Sequence, residues 1–241
     1  MNERKCFFCV STASSRSINM SKPEYTIDVV KEVDVNDVMA LLRRTFYIDE
    51  PLNAAIGLCT NNPCTELEEY CKKSILEGLS FKAMDKEGNI VGVCISGVDP
   101  VKEPDDGTDL RSQAINCKNP KFQKILYILA MRNEGAKLWE KYPNEQKLVD
   151  IKVAGTDHSW RRKGIMNRLV EETEKATKAR GINILRMDTS SYYSAKSAER
   201  QGFTQVYSVP YTELKMDGVP IIVPDPPHVD DRVYVKILNN N

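Results

Sequence analysis

The stretch from Lys152 to Met166 restricts the fold more than any other part of the sequence, because it joins a strand to a helix through a short turn that contains glycine. It opens with apolar strand residues, crosses a polar turn and enters a segment, ending at Arg180, with the composition of a helix. Four apolar residues recur there at helical spacing, namely Ile165, Leu169, Ala176 and Ala179. Gly181 stands where a left-handed cap would end the helix. The stretch therefore predicts a strand–turn–helix unit.

The turn has the chemistry of an anion site. Backbone N–H groups in the first turn of a helix have no intrahelical partner, and the aligned peptide dipoles make that end partly positive. Gly164 lets an anion approach the main chain, and Arg161, Arg162 and Lys163 precede it. The turn predicts a pyrophosphate site, with a solvated basic turn as the alternative. It is not a P-loop, since no Gly-Lys-Ser/Thr follows, and one glycine is too few for a dinucleotide fingerprint.

Three separated motifs resemble a known family. The run Arg161-Arg162-Lys163-Gly164-Ile165-Met166 resembles the (Gln/Arg)-x-x-Gly-x-(Gly/Ala) acyl-CoA signature of the GCN5-related N-acetyltransferases, with Met166 where glycine or alanine is usual. Residues 188–195 and Gln201-Gly202-Phe203 continue the resemblance downstream. Upstream, residues 46–53 (FYIDEPLN) narrow the resemblance to one group within this family, the insect arylalkylamine N-acetyltransferases of the dopamine N-acetyltransferase type. The likeness covers roughly Pro23 to Lys236.

Pattern and resemblance together predict one α+β domain over residues 23–241, with a mixed, mostly antiparallel sheet of about seven strands flanked by helices. Strands are expected at residues 25–30, 80–84, 90–98, 148–156, 184–189, 203–209 and 232–238, the last closing the sheet. Helices are expected at residues 35–46, 65–77, 121–140, 165–180 and 194–201, with a capping box at residue 65 and a loop over 99–119. Residues 1–22 are Ser-rich and predict a flexible tail, with a mitochondrial transit peptide as the alternative.

Composition excludes several classes of protein. The 241 residues are 41% hydrophobic, enough for a substantial core, and the formal net charge of zero favours neither nucleic acid nor an anionic membrane. No segment approaches the ~20 apolar residues needed to span a bilayer. Seven scattered cysteines suit reduced thiols in a cytoplasmic protein, and the Cys6–Cys9 pair lacks the second pair that a zinc site needs. We expect a cytoplasmic monomer without a metal.

Acetyl transfer from a thioester to an amine needs a neutral amine, a stabilised oxyanion and a proton for the departing thiolate. Biological amines have pKa values near that of lysine, ~10.4, so most are protonated at pH 7, and a nearby carboxylate can take that proton directly or through water. Glu50 lies where the chain leaves a helix, and the resemblance gives the matching glutamate the role of general base; the residues alone also suit a solvated acidic turn. The resemblance also makes Ser190 and Ser194 catalytic participants, with helix capping as the alternative.

The resemblance further implies binding sites for acetyl-CoA and for the amine. Acetyl-CoA would contact Ala154, Thr156, Arg161, Arg162, Lys163, Gly164, Ile165, Met166 and Tyr193. The amine would contact Tyr47, Asp49, Leu52 and His228. Many relatives place a tyrosine, as thiolate acid, where this chain has Ala198, so the proton would come from Ser194, Tyr193 or water.

The leading hypothesis is therefore an acetyl-CoA-dependent acetyltransferase that acts directly on small arylalkylamines of the dopamine, serotonin, tryptamine or octopamine type. A polyamine of the spermine or putrescine type is the alternative acceptor. Five acids of residues 99–109 would suit an extended polycation if this loop borders the cleft, with a solvated acidic loop as the alternative: Asp99, Glu103, Asp105, Asp106 and Asp109. A non-catalytic acyl-CoA-binding module is a second alternative, motivated by Met166 and Ala198. Acetylation of protein N-termini or lysines is a third.

Overall fold

The computed structural model of the chain describes residues 24–104 and 109–238. Its main sheet has seven strands in the order β1-β2-β3-β4-β5-β9-β6, and β7 and β8 form a short separate pair. The strands are β1 (Thr26–Val29), β2 (Phe81–Met84), β3 (Ile90–Pro100), β4 (Lys147–Thr156), β5 (Ile184–Thr189), β6 (Thr204–Pro210), β7 (Lys215–Met216), β8 (Val219–Pro220) and β9 (Asp230–Ile237). In the main sheet only β4 and β5 are parallel to each other. The predicted α+β class and mostly antiparallel sheet are confirmed.

Helices cover both faces of this sheet. They are α1 (Val35–Arg44), α2 (Phe46–Asp49), α3 (Pro51–Ala55), α4 (Thr65–Ser74), α5 (Leu110–Asn116), α6 (Pro120–Ala136), α7 (Leu138–Lys141), α8 (Ile165–Ala179) and α9 (Tyr192–Arg200). Apolar residues of α1, α4 and α6 form one core cluster with Val93 and Ile95 of β3. Those of α8 and α9 form another with Val91 and Cys94 of the same strand. β3 is thus buried on both faces, which explains its continuous apolar sequence.

The strand–turn–helix unit forms as predicted, and its helix packs closely on the sheet. Ile165, at the start of α8, is 2% exposed. Gly92 of β3 lies beneath it, and a Cβ atom at that position would come within 2.6 Å of Cγ2 of Ile165. Glycine at residue 92 therefore lets the first turn of α8 approach the sheet, which fixes the turn before it.

β4 and β5 separate toward their carboxyl ends. They pair only at Val149–Leu185, Asp150–Arg186 and Ile151–Met187, although both strands continue beyond this point. On the other side of β4, the register with β3 shifts so that Lys152 has no partner. Such a bulge bends a strand and re-aims its side chains. A gap between the two parallel strands follows, at the edge where the connections to α8 and α9 begin.

Some predicted elements were wrong in extent or position. The last strand, β9, lies between β5 and β6 and does not close the sheet. The predicted loop over 99–119 contains the end of β3 and all of α5, because the Asp109 side chain caps α5 by accepting the N–H of Ser112 at 2.8 Å. The predicted helix 121–140 is broken at Lys137, whose φ of 48° is left-handed.

Helix ends also differ from prediction. The predicted helix 35–46 ends at Arg44, and the predicted helix 65–77 ends at Ser74. The expected capping box is not formed, since Cys64 is the N-cap and no side chain caps that end. The predicted helix 194–201 begins two residues earlier, at Tyr192.

Several predictions lie outside the described residues: the flexible tail, the Cys6–Cys9 pair, Asp105 and Asp106. The cysteines that the structure describes are Cys59, Cys64, Cys71, Cys94 and Cys117, all with free thiols. In the described ranges, no helix has the length and apolarity to cross a bilayer. Monomeric state and cytoplasmic location stay predictions.

Candidate active site

A cavity of about 650 Å³ follows the gap between β4 and β5 and extends beneath α4 and α6. Its wall includes Ala154 of β4, Met166 of α8 and Ser194 of α9. Glu50 and Leu52, at the start of α3, line it as well. Residues that the sequence separates by more than 100 positions therefore meet around one space.

Both carboxylate oxygens of Glu50 are held. Pro51 occupies the first position of α3, and Glu50 is its N-cap, with Oε2 accepting the N–H of Asn53 at 2.7 Å. Oε1 accepts a hydrogen bond from Oγ of Ser190 at 2.5 Å. The predicted base and one of the two predicted serines are thus brought into direct contact.

Burial raises the pKa of Glu50 above the ordinary carboxyl value. Hydrogen bonds from Ser190 and from the N–H groups of Asn53 and Leu52 oppose this shift, as does the positive charge of Arg132. Because a carboxylate is a better proton acceptor when its pKa lies closer to the working pH, the environment of Glu50 favours general base chemistry.

The serines at the end of β5 have distinct partners. Ser191 is the N-cap of α9, accepting the N–H of Tyr193 at 3.1 Å, so neither Ser190 nor Ser194 has the N-cap position. Oγ of Ser194 donates to the carbonyl of Ser191 at 2.9 Å. The Tyr211 hydroxyl donates to the carbonyl of Ser190 at 2.8 Å, which fixes the main chain beside Glu50. All three serines line the cavity.

The predicted anion turn has an open main chain. Gly164 is the N-cap of α8 with a φ of 75°, and no described side chain caps this helix end. A Cβ atom at Gly164 would meet no described atom within 4 Å, so the surface of the turn is accessible. The first N–H groups of α8 are therefore free to bind an anion.

Three cations surround this turn, all exposed. Arg161 donates through Nε to the carbonyl of Thr156 at 3.3 Å, and through Nη2 to Asp49. Arg162 has a left-handed φ of 64°. Lys163 pairs with Glu24 at 2.8 Å, and its ammonium lies 4.2 Å from the centre of the Trp160 ring.

The predicted amine-binding residues are dispersed. Leu52 lines the main cavity, whereas Tyr47 is 1% exposed and lines a smaller cavity of about 280 Å³. Asp49 faces the anion turn, where Nε2 of His158 lies 2.9 Å from its Oδ2. Nδ1 of His228 accepts the N–H of Tyr192 at 3.1 Å, and its ring packs edge-on against Tyr193. Among the described residues, the main cavity wall includes Leu52 alone of these four.

A buried ionic network on the cavity wall was not predicted. Arg132 donates twice to Asp231, with both distances 2.6 Å, and once to Asp188 at 3.2 Å. Arg186 donates twice to Asp188, at 2.8 Å each. Burial acts to raise the pKa of Asp188, but the charges of Arg186 and Arg132 hold it below the ordinary value.

β4 contributes two further charges to the wall, Asp150 and Lys152. Charged residues within an apolar strand are the sequence signal that could have indicated them, since such residues are rarely buried unless they are paired. No group of three or more His, Cys, Asp or Glu side chains is arranged to hold a metal ion within residues 24–104 and 109–238.

Comparison with known proteins identifies the class. No family model matches the chain. Arylalkylamine N-acetyltransferase 2 from Aedes aegypti superposes with a TM-score of 0.81 at 25% identity, covering 89% of this chain and 99% of that one. Polyamine N-acetyltransferase from Drosophila melanogaster gives 0.80 at 21%, covering 89% and 100%. An agmatine N-acetyltransferase mutant in its apo form gives 0.80 at 22%, with the same coverage.

The chain thus has the fold of the GCN5-related N-acetyltransferases, and its structural neighbours are acyltransferase enzymes. The likeness to the insect arylalkylamine N-acetyltransferase group, predicted from three motifs, is confirmed by these neighbours.

Proposed function

We propose that this protein transfers the acetyl group of acetyl-CoA to the primary amine of a small molecule, with Glu50 as general base. The contact between Glu50 and Ser190 carries the proposal. Through this contact Glu50, whose pKa is raised by burial, is held on the wall of the cavity that follows the gap between β4 and β5. The fold shared with N-acetyltransferases supports it.

The residues around the gap fit acetyl-CoA. The open N–H groups at Gly164, Ile165 and Met166 suit its diphosphate, and the positive charges of Arg161, Arg162 and Lys163 would add attraction. Ala154 and Met166 line the cavity and Thr156 ends β4, so these residues would follow the pantetheine arm. Tyr193, the remaining predicted contact, is 66% exposed and is absent from the described wall of the cavity. When bound, acetyl-CoA supplies an activated acetyl group as a thioester.

The side chains of the cavity account for the proton transfers. Glu50 would take the proton of the acceptor ammonium, since the pKa of its carboxyl is raised toward the working pH. The Ser190 hydroxyl holds the carboxylate in position. Ser194 is on the cavity wall, and its hydroxyl would pass a proton to the departing sulfur and regain one from water, a role that Ala198 cannot take because its side chain has no O–H, N–H or S–H group.

We propose an arylalkylamine as the acceptor, of the dopamine, serotonin, tryptamine or octopamine type. Aromatic and apolar side chains line the part of the cavity next to Glu50 and beneath α4 and α6, and they suit a flat ring: Phe46, Leu52, Tyr70, Phe122 and Leu129. A neighbour with 25% identity carries the name of an arylalkylamine N-acetyltransferase.

A polyamine is the second candidate, and the charge of the cavity wall favours it. Of the five acids in the segment 99–109, the described Asp99, Glu103 and Asp109 all line the cavity, together with Glu77. Another neighbour is named as a polyamine N-acetyltransferase that forms N-acetylagmatine. An extended polycation would gain from such a wall.

A thiol-release assay with acetyl-CoA tests the proposal. Tryptamine, serotonin, dopamine and octopamine are compared with spermine and putrescine, and with peptides that carry a free N-terminus or a lysine. We expect turnover, with the arylalkylamines fastest. Faster turnover of spermine than of tryptamine would reverse the order of acceptors. Activity on peptides alone, or tight binding of acetyl-CoA without any thiol release, would contradict the proposal.

Arg161→Ala is expected to raise the KM for acetyl-CoA by about tenfold with little change in kcat, because one charge-assisted contact to the diphosphate is lost. Initial rates over a range of acetyl-CoA concentrations measure this. Lys178→Ala is the matched control, since Lys178 lies at the opposite end of α8 and pairs with Glu174. An unchanged KM for Arg161→Ala would remove Arg161 from the diphosphate site.

A further inference from the structure

Asp150 is a carboxylate of the cavity wall that the proposed chemistry does not use. It lies on β4, in register with Gly97 of β3 and with Arg186 of β5. It lines the cavity and is only 9% exposed. A carboxylate removed from water in this way needs compensating partners.

The partners of Asp150 are incomplete. Oδ1 is buried and has no hydrogen-bond partner among the residues that the structure describes. Oδ2 lies 3.7 Å from Nζ of Lys152, which is beyond hydrogen-bond distance. The Lys152 ammonium donates instead to Asp99. Buried carboxylate oxygens are nearly always paired in native proteins, so an unsatisfied one beside a cavity points to a ligand.

We propose that Asp150 binds a hydrogen-bond-donating group at the end of the acceptor that is remote from the reacting nitrogen, and that it thereby determines which amines are accepted. This inference rests on the proposed function, because it takes the cavity to be the acceptor site. Asp150 is then a specificity-determining residue and takes no part in the proton transfers at Glu50.

The sheet sets the distance between Asp150 and the base. Glu50 is bound to Ser190, and Asp150 is in register with Arg186, four residues before Ser190. At about 3.3 Å per residue, this segment spans roughly 13 Å. A long diamine with a terminal ammonium suits such a separation. The ring hydroxyl of an arylalkylamine is a second possible donor of this hydrogen bond, at a shorter distance from the reacting amine.

The titratable groups around Asp150 leave it available to a ligand. The groups that face it are Lys152 on its own strand, Arg186 and Asp188 on β5, Asp99 on β3 and the hydroxyl of Tyr70 on α4. The hydrogen bonds of the two cations go to other groups: Lys152 donates to Asp99, although its ammonium lies 3.7 Å from Oδ2 of Asp150, and Arg186 donates to Asp188 and to Asn133. Burial raises the pKa of Asp150 to about 6, so its charge is present at neutral pH and is lost on acidification.

The test measures binding by calorimetry in the presence of coenzyme A, so that no acetyl group is transferred. Two matched pairs of amines are used, 1,6-diaminohexane with hexylamine, and tyramine with phenethylamine. Within each pair only the remote donor differs. We expect the donor-bearing member of at least one pair to bind roughly tenfold more tightly, and Asp150→Asn to bring that ratio close to one. The pair that responds identifies ammonium or hydroxyl as the source.

Glu172→Gln is the control, because it removes a carboxylate that pairs with Lys175 on α8 and is absent from the described wall of the cavity. We expect it to keep the ratio. The inference is overturned if the wild-type protein shows no preference in either pair, if Asp150→Asn keeps the ratio, or if Glu172→Gln loses it equally. If the binding ratio depends on Asp150 but the protein transfers no acetyl group, only the proposed function is contradicted. If the protein transfers acetyl groups but the binding ratio does not depend on Asp150, only this inference is contradicted.

A measurement on the wild-type protein covers the case in which Asp150→Asn does not fold. Protonation of Asp150 removes the charge that holds the remote donor, so the binding ratio should fall as the pH is lowered from 7.5 through about 6 to 5. Both members of a pair share the reacting amine, so the titration of Glu50 cancels in the ratio. A ratio that is constant over this range would overturn the inference.

Discussion

Glu50→Gln is expected to lower kcat by roughly 10²–10³-fold at neutral pH, within the range that a positioned general base contributes. Glutamine keeps the shape of the side chain and can still accept the N–H of Asn53, but it cannot take a proton from the ammonium. The affinity for coenzyme A should stay within about twofold, since the hydrogen bonds described for the Glu50 side chain go to Asn53 and Ser190 and not to the anion turn. Thiol release gives kcat, and calorimetry gives the affinity.

The pH profile separates loss of the base from loss of structure. Because burial raises the pKa of Glu50, the activity of the wild-type protein should fall with decreasing pH at a value above the ordinary carboxyl pKa of 4.5. Glu50→Gln should lack this acidic limb. Asp49→Asn is the comparison, since Asp49 is the adjacent carboxylate but contacts Arg161 and His158. Near-full activity of Glu50→Gln, or a larger loss in Asp49→Asn, would show that Glu50 is not the base.

Arg132→Leu is expected to lower the free energy of unfolding by about 3–5 kcal/mol, because it leaves a buried charge without its partner. Asp231 is 0% exposed and receives two hydrogen bonds from Arg132, both at 2.6 Å. The free energy is measured by denaturant unfolding. The double variant Arg132→Leu/Asp231→Leu should recover much of the loss, since replacing both charges removes the uncompensated one.

An exposed ion pair provides the control for this result. Arg111 makes the same two-bond contact to Glu134 of α6, at 2.7 Å each, but the two side chains are 41% and 37% exposed. Arg111→Leu should therefore cost less than about 1 kcal/mol. Equal losses in Arg132→Leu and Arg111→Leu would contradict the distinction between buried and exposed pairs.

Local patterns in the sequence were sufficient for the strand–turn–helix unit and for most strands. Helical spacing identified α8, and the apolar runs identified β3, β4 and β5. Positions that depend on distant contacts were not accessible in this way. β9 pairs with both β5 and β6, and nothing in its own residues indicates an interior position. α5 is short, and its signal was hidden in an acidic, proline-containing segment.

The residues of the candidate site show the same difference between local sequence patterns and contacts made by the fold. Residue types and spacing left the turn open between an anion site and a solvated basic turn, and the resemblance favoured the anion site. Glu50 likewise became a candidate only through the resemblance. Its contact with Ser190, 140 residues away, is a product of the fold. The charges of β4 were missed because Asp150 and Lys152 lie in a strand that was identified by its apolar residues. The bulge at Lys152 is set by register with β3, which the sequence of β4 does not encode by itself.

A crystal structure of the protein with coenzyme A would test most directly the claim that the gap between β4 and β5 binds this cosubstrate. We predict the diphosphate within hydrogen-bond distance of the N–H groups around Gly164, and the pantetheine arm between the two strands with its thiol directed toward Glu50. Coenzyme A bound elsewhere on the protein, or a gap closed by side chains when it is bound, would contradict the account.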